Sequence, residues 1–458
     1  MIVDPARMTA RDSEVIIVGA GLAGLVAARE LMRAGVGVEV LEARDRVGGR
    51  TLSVTLDGQT VDLGGQWMGD RHARLRKLAE ELGVGIFPQH ARGIKRLLTR
   101  DGRLRTFSGF VPKIGLLGVL DLALALSRLE RLARRVVLED PLATPRAQEL
   151  DAQTFADYLA RRVRTPVARD LLGLATQMIF AAEPHELSLL YFLLYAHSGE
   201  GVQRLGEIEH GAQEQRFTTG AQALCDRLAA ELAPRVRLGS PVQAIEQSGD
   251  EVVVHVTGGA APRRARRAIL AVPPALAKEI DLAGVSDARA RLHAEMPMGS
   301  VIKCVLAYPR AFWREAGCSG EGFAITGSVR ATFDDSSPTG DHAALVAFVV
   351  GDAAKQLSRA SEPERRAQVI ADVVRLHGPD AATPTAYVDR DWLAEPWSRG
   401  CYVGVMPPGL LSATAAALRA PCGRLHFAGT ETAVHHVGYL EGAIESGERA
   451  AREVLALR

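Results

Sequence analysis

Three places in this 458-residue chain hold residues whose types and spacing could do chemistry. Near the start, Gly19-Ala20-Gly21-Leu22-Ala23-Gly24 is followed by Glu42. Glycines at this spacing allow a tight turn and let backbone N–H groups approach a pyrophosphate, and an acid about 20 residues on can accept ribose hydroxyls while repelling a 2′-phosphate. In the middle, Lys303 interrupts the apolar run "SVIKCVLAY". A buried ammonium costs several kcal/mol unless it is paired or its pKa falls, so Lys303 is either a functional cation or an edge residue whose head reaches water. Near the end, "PWSRGCYVGVMPPG" sets Cys401 beside Tyr402 among glycines. Such a thiol is either a small buried hydrophobe or a group that holds something.

The elements that must position these groups can be read from the same residues. Val15 to Val18 form a buried strand entering the glycine turn, "LVAARELMRAG" has helical spacing and ends at Gly35, and "VGVEVLE" closes a second strand on Glu42. This is a βαβ unit with G-x-G-x-x-G in its required context, which predicts dinucleotide binding and leaves nicotinamide and flavin open. "LHFAGTETAVHHVGYLEGAIESGERAAREVL" begins as a short strand, passes through Gly429-Thr430-Glu431 and becomes a helix. Its small residues Gly442, Ala443, Ser446 and Gly447 permit close packing. Two such anion-binding elements at opposite ends of the chain imply a discontinuous nucleotide domain. In the Lys303 strand, alternation places Val301, Lys303, Val305 and Ala307 on one face and Ile302, Cys304 and Leu306 on the other, so the strand is expected to be buried.

Composition excludes several classes. Lys+Arg 55 against Asp+Glu 54 gives a net charge of +1, with no field for nucleic acid, and "PRRARR" reads as a solvated hairpin edge. Five cysteines without C-x-x-C spacing argue against a disulfide framework or a metal site and for a reducing compartment. "MIVDPARMTARDSE" has no apolar core for a signal peptide. The longest apolar stretch, "IGLLGVLDLALALS", carries Asp121 and runs into Arg128, Arg131, Arg134 and Arg135. A membrane span needs about 20 apolar residues, so this stretch predicts an amphipathic helix in a cytoplasmic protein with no membrane anchor.

"LEARDRVGGRT" continuing to "VDLGGQWMG" resembles the flavin-containing amine oxidase superfamily, with Arg44, Gly49, Arg50, Thr51, Gly64 and Gly65 on its pattern. Throughout its length the chain is similar to the monoamine oxidase branch. The resemblance implies FAD, held by Gly19, Gly21, Ala23, Gly24, Glu42, Ala43, Arg44, Gly49, Arg50, Thr51, Gly64, Gly65, Gln66, Trp67, Val242, Trp392, Cys401, Gly429, Thr430, Glu431, Gly438, Tyr439, Leu440 and Ala443. Ser398-Arg399-Gly400-Cys401-Tyr402 matches the context in which a cysteine forms a thioether to the flavin 8α-methyl carbon, although some relatives bind FAD without that bond. Tyr402 and Tyr439 match an aromatic pair before the flavin, and Lys303 in "MGSVIKC" matches a lysine that reaches N5 through a water and assists the reaction with oxygen. Gln213, Met178, Ile179 and Phe348 match cavity-lining positions. Gly206 and Ala331 stand where the animal enzymes have bulky gating residues, which implies a wider or differently divided cavity. His436 replaces a tryptophan, and His435 and His436 are read as structural.

The implied fold is α/β: a discontinuous Rossmann-like FAD-binding domain (12–86, 218–292 and 395–456) interleaved with an α+β substrate-binding domain of mixed sheet and helices (87–217 and 293–394). The implied reaction oxidises a primary or secondary monoamine with O2 and water to an aldehyde or ketone, ammonia and H2O2, a hydride equivalent leaving the α-carbon for flavin N5. Diamine or polyamine oxidase, L-amino-acid oxidase and a non-catalytic binding protein on the same fold are the alternatives. The expected partners are a small amine and O2, and the resemblance is compatible with a homodimer.

Overall fold

The computed structural model describes residues 13–109, 111–112, 114–259 and 261–457. Most of the opening segment, read above as lacking a signal-peptide core, lies outside them. The chain forms two compact units, one of residues 1–49, 222–296 and 413–458, the other of 50–221 and 297–412.

The first unit is built on a five-stranded parallel sheet in the order Leu425–Phe427, Arg267–Leu270, Val15–Val18, Val38–Leu41, Val236–Arg237. Its central strands are continuous apolar runs, buried at every position, as a sheet covered on both faces requires. Helix Leu22–Arg33 starts directly from the glycine turn and packs on the C-terminal helix Leu440–Leu455. A β-carbon at Gly447 would lie 2.4 Å from the Ala23 carbonyl oxygen, so only glycine allows these helices to approach so closely. A separate four-stranded sheet ends at the edge strand Arg263–Ala265, where the "PRRARR" run meets solvent as expected.

The second unit carries a seven-stranded sheet in the order Ala386–Asp391, Val301–Tyr308, Ala343–Val350, Val329–Asp334, Cys318–Ala324, Ile94–Leu98, Leu104–Phe107. All neighbours are antiparallel except Cys318–Ala324 with Ile94–Leu98. The Lys303 strand is flanked on both sides and buried at all eight positions. Its even-numbered residues Ile302, Cys304 and Leu306 pack with Val369, Val373 and Leu376 of helix Glu362–His377. Its odd-numbered residues Val301 and Val305 join Ala331, Val346 and Phe348 in a second cluster. Helix Leu116–Ala133 covers the long apolar stretch, buries Leu122, Ala125 and Leu129, and exposes Leu116, Leu117, Leu120 and Leu124. Among the described residues no helix is long and apolar enough to cross a membrane.

Packing groups 50–86 and 395–412 with the sheet of Lys303. The boundaries expected from the sequence put both segments in the FAD-binding domain; here they bond within the second unit. Trp392 Nε1, for example, donates to the Leu63 carbonyl at 2.8 Å.

Candidate active site

In the first unit the glycine turn is fixed by its own backbone. Gly19 sits at φ 106, and a β-carbon there would lie 2.7 Å from the Ala271 carbonyl oxygen; at Gly24 it would lie 2.0 Å from the Gly19 carbonyl oxygen. Gly21 differs, since a β-carbon there would meet nothing within 4 Å. Gly21 is also the N-cap of helix Leu22–Arg33 and supplies no side-chain cap, so the first-turn N–H groups keep their positive partial charge for an anion. Gly48 N donates to Ala20 O at 2.9 Å, bringing the Gly48-Gly49 pair against the turn. Buried Glu42 accepts from Ala20 N at 2.7 Å on Oε2, and from Arg44 N at 3.0 Å and Arg44 Nη1 at 3.4 Å on Oε1, which leaves Oε2 a lone pair for a hydroxyl. An open glycine, an uncapped helix start and a buried acid fit the pyrophosphate and ribose of a dinucleotide.

The second anion-binding element of this unit is locked in the same manner. Gly429 (φ 126) donates to Ser446 Oγ at 3.0 Å, and Thr430 Oγ1 donates to the Tyr439 carbonyl at 2.9 Å while accepting from Gly438 N at 2.7 Å. Thr430 and Glu431 are buried, and Tyr439 is the N-cap of the C-terminal helix, whose first turn holds Leu440 and Ala443. His435 N donates to Glu445 Oε2 at 2.9 Å, and the His436 ring meets the Tyr439 ring edge-on at 6.4 Å. Val242 is half-buried at the start of strand Val242–Ser248, and Ala43 follows Glu42 directly.

In the second unit the remaining candidates gather on the odd face of the Lys303 strand. Met178, Ala331, Phe348, Trp67, Trp392, Cys401 and Tyr402 belong to one apolar cluster with Val301 and Val305. The Tyr402 ring stands edge-on to Phe348 at 6.2 Å, and Trp67 lies 5.6 Å from Phe348. Cys401 is 4% exposed, its N–H bonded to the Gly299 carbonyl at 2.9 Å, and the Cys401–Tyr402 peptide is cis. Arg50 donates to the Tyr402 carbonyl at 3.0 Å, and Thr51 beside it is buried. Gly64 packs where a β-carbon would lie 2.2 Å from the Arg50 carbonyl oxygen, and Gly65 N bonds that carbonyl at 3.1 Å. Ile179 lies outside the cluster, Gly206 ends the short helix Val202–Gly206, and Gln213 is half-buried in the loop before strand Gln215–Phe217.

Lys303 does not reach solvent: it is 3% exposed, and its Nζ donates to the Gly64 carbonyl at 2.8 Å and to Gln66 Oε1. Burial pulls its pKa down to about 8, against the opposing pull of Asp335 and Asp62. Burial likewise pushes both carboxyls and the Tyr402 phenol up. Asp62, Asp335 and Arg216 were not singled out in the sequence. The signal available was an acid ending an apolar run, in "TVDLGG" and "ATFDDSS".

The model of the family described as flavin containing amine oxidoreductase matches residues 22–455. The chain is 36% identical over 447 residues to a probable flavin-containing monoamine oxidase A of Dictyostelium discoideum, covering 96% of this chain and 97% of that one. It is also 36% identical over 459 residues to an L-amino acid dehydrogenase of Synechocystis sp., covering 97% and 95%. A wild-type putrescine oxidase bound to putrescine superposes with a TM-score of 0.93 at 32% identity, covering 97% of this chain and 99% of that one. The fold is that of FAD-dependent amine oxidases, the activity is oxidation of amines with FAD as cofactor, and the chain belongs to the flavin containing amine oxidoreductase family.

Proposed function

We propose that this enzyme oxidises small primary monoamines and holds its FAD covalently through Cys401. One arrangement supports the substrate reading. Lys303 stands on an apolar face with Met178, Ala331, Phe348 and Tyr402, and the charge beside it is already balanced, Asp62 and Asp335 against Lys303 and Arg216. A diamine would need a carboxylate for its second ammonium, and an amino acid a guanidinium for its carboxylate. Here Asp335 and Arg216 are paired with each other at 2.9 Å.

Gly19 to Gly24 and Glu42 would hold the pyrophosphate and ribose, with Gly429 to Glu431 as a second anion-binding element. Arg50, Gly64, Gly65, Gln66, Trp67, Trp392 and Cys401 would hold the ring end. Bound FAD supplies the acceptor for a hydride equivalent and the site where O2 is reduced. Tyr402 and Tyr439 are proposed to act together, their electron-rich faces orienting the neutral amine and favouring positive charge at its nitrogen. Lys303 supplies a fixed cation where negative charge develops on oxygen. The apolar face excludes water and strengthens both effects.

Peroxide release from benzylamine, putrescine and L-leucine tests the substrate class. The expected result is kcat/KM for benzylamine roughly tenfold or more above the other two. Preference for putrescine or leucine would overturn it. Acid precipitation tests the attachment: a yellow pellet that turns white in Cys401→Ala is expected, and a yellow supernatant over a white wild-type pellet would reduce Cys401 to a pocket wall.

A further inference from the structure

The Lys303 ammonium belongs to a buried cluster of four charges. Gln66, which accepts from Lys303, donates through Nε2 to Asp335 Oδ1 at 3.1 Å, and the same oxygen pairs with Arg216 Nη2 at 2.9 Å. Asp62 accepts from Ser53 Oγ at 2.6 Å and from Ala221 N at 3.0 Å. Lys303, Arg216, Asp62 and Asp335 are all buried, two cations against two anions. The other ionisable groups around the lysine are few. The Cys401 thiol faces it, and Arg390, its register partner on strand Ala386–Asp391, is ion-paired with Glu395. Trp67 and Phe348 present rings at 5.7 and 5.6 Å from Nζ. Asp62, Arg216 and Asp335 also line a polar pocket with about 160 Å³ of room for water, whose walls include neither Lys303 nor Gln66. That pocket offers protons a route to the cluster.

We propose that Asp335, seconded by Asp62, is the positioning residue that keeps the Lys303 ammonium charged and bonded to Gln66, and so sets the pH range in which the lysine is a cation. If the anion is removed, one positive charge is left over in a low-dielectric core. Arg216 cannot release a proton, so Lys303 must. On the role proposed above for Lys303, that charge decides how fast reduced enzyme reacts with oxygen. Asp335 allows a clean test of the charge. Oδ1 takes the Gln66 hydrogen bond and the Arg216 ion pair, whereas Oδ2 is buried with no hydrogen-bond partner, so Asp335→Asn can keep the bonded oxygen and replace the other.

The chain has six lysines. In FAD-loaded enzyme carrying lysine labelled with 13C at Cε and 15N at Nζ, the Lys303 signal is identified by its loss in Lys303→Met. Its midpoint is expected near 8 in the wild type, unchanged in Asp335→Glu, and lower by about one unit or more in Asp335→Asn. The pH at which reoxidation by O2 declines, followed by stopped flow, is expected to move down with it. A midpoint unmoved in Asp335→Asn overturns the proposal whatever the activity does. A midpoint that moves while the reoxidation profile stays put upholds the charge coupling and removes Lys303 from the oxygen step. Should Asp335→Asn not accumulate folded, Asp62→Asn carries the same test with a smaller downward shift, and no shift there overturns it.

Discussion

Two glycines five residues apart or fewer can be needed for different reasons, and substitution separates them. A β-carbon at Gly24 would collide with the Gly19 carbonyl at 2.0 Å, so Gly24→Ala must break the turn itself. Gly21 has an ordinary φ of −74 and open space around its β-position, so Gly21→Ala leaves the protein's own contacts intact and fills only the space a ligand backbone needs. Gly21→Ala is therefore expected to cost no more than about 0.5 kcal/mol of stability while weakening FAD retention roughly tenfold or more. Gly24→Ala is expected to lose both. Thermal melts and the ratio of flavin to protein absorbance on the same preparations check this, and a fully yellow Gly21→Ala would remove that space from the pyrophosphate site. The lysine makes a second residue-scale prediction. Its ammonium is present below about 8 and lost above it, so kcat/KM for O2 should fall as pH rises through that value. The amine must be neutral, so its own kcat/KM should rise over the same range. Lys303→Met should lower the O2 rate about a hundredfold and abolish the falling limb; a limb that survives would assign it to another group.

At the scale of elements, what could be read from the sequence was whatever is local. The glycine turn with its strands and Glu42 spans one βαβ unit, and the alternation of "SVIKCVLAY" correctly divides Ile302, Cys304 and Leu306 from Val301, Lys303 and Val305. The counter-charges of Lys303 come from residues 62, 216 and 335, which only the sheet and the loops beside it bring to one place, and no spacing in the chain announces them. The same holds for His377. It ends helix Glu362–His377, is buried, and shares a 2.7 Å hydrogen bond between Nε2 and Thr332 Oγ1 on the sheet. Burial, and then the charge of Arg96, hold its pKa down to about 3. The folded value lies below the unfolded one, near 6.5, so the unfolded chain takes the proton first. Stability contributed by the neutral ring is present above about 6.5 and is lost as pH falls towards 3, at about 1.4 kcal/mol per unit. Between pH 7 and pH 5 the wild type should lose on the order of 2 kcal/mol more than His377→Gln, which keeps a polar atom for Thr332 and does not titrate. Unfolding at the two pH values measures the difference, and equal losses would mean that the helix end opens to water before the ring is protonated.

For the whole molecule, the order of segments along the chain becomes a stability argument. The first unit is assembled from residues 1–49, 222–296 and 413–458, so its sheet is complete only after the second unit has been synthesised. The final segment contributes strand Leu425–Phe427, paired with Arg267–Leu270, and the helix that covers Leu22–Arg33. Removing it exposes one edge of the sheet and uncovers the helix residues against which Gly447 packs, Ala23 and Val26, both now buried. It also deletes Leu425, Phe427, Ile444 and Val454, all buried in the intact unit. At about 1.5–3 kcal/mol for each large apolar side chain, these losses reach the whole 5–15 kcal/mol that holds a typical domain together. A chain ending at Ser412 is therefore expected to be insoluble or to melt without cooperativity, and to retain no flavin, even though its glycine turn and Glu42 are intact. Supplying residues 413–458 as a separate polypeptide during refolding should restore a yellow, cooperatively melting protein. If the truncated chain instead stays folded and binds FAD, the N-terminal βαβ unit and the middle segment would suffice, and the interleaving would serve something other than completing the cofactor unit.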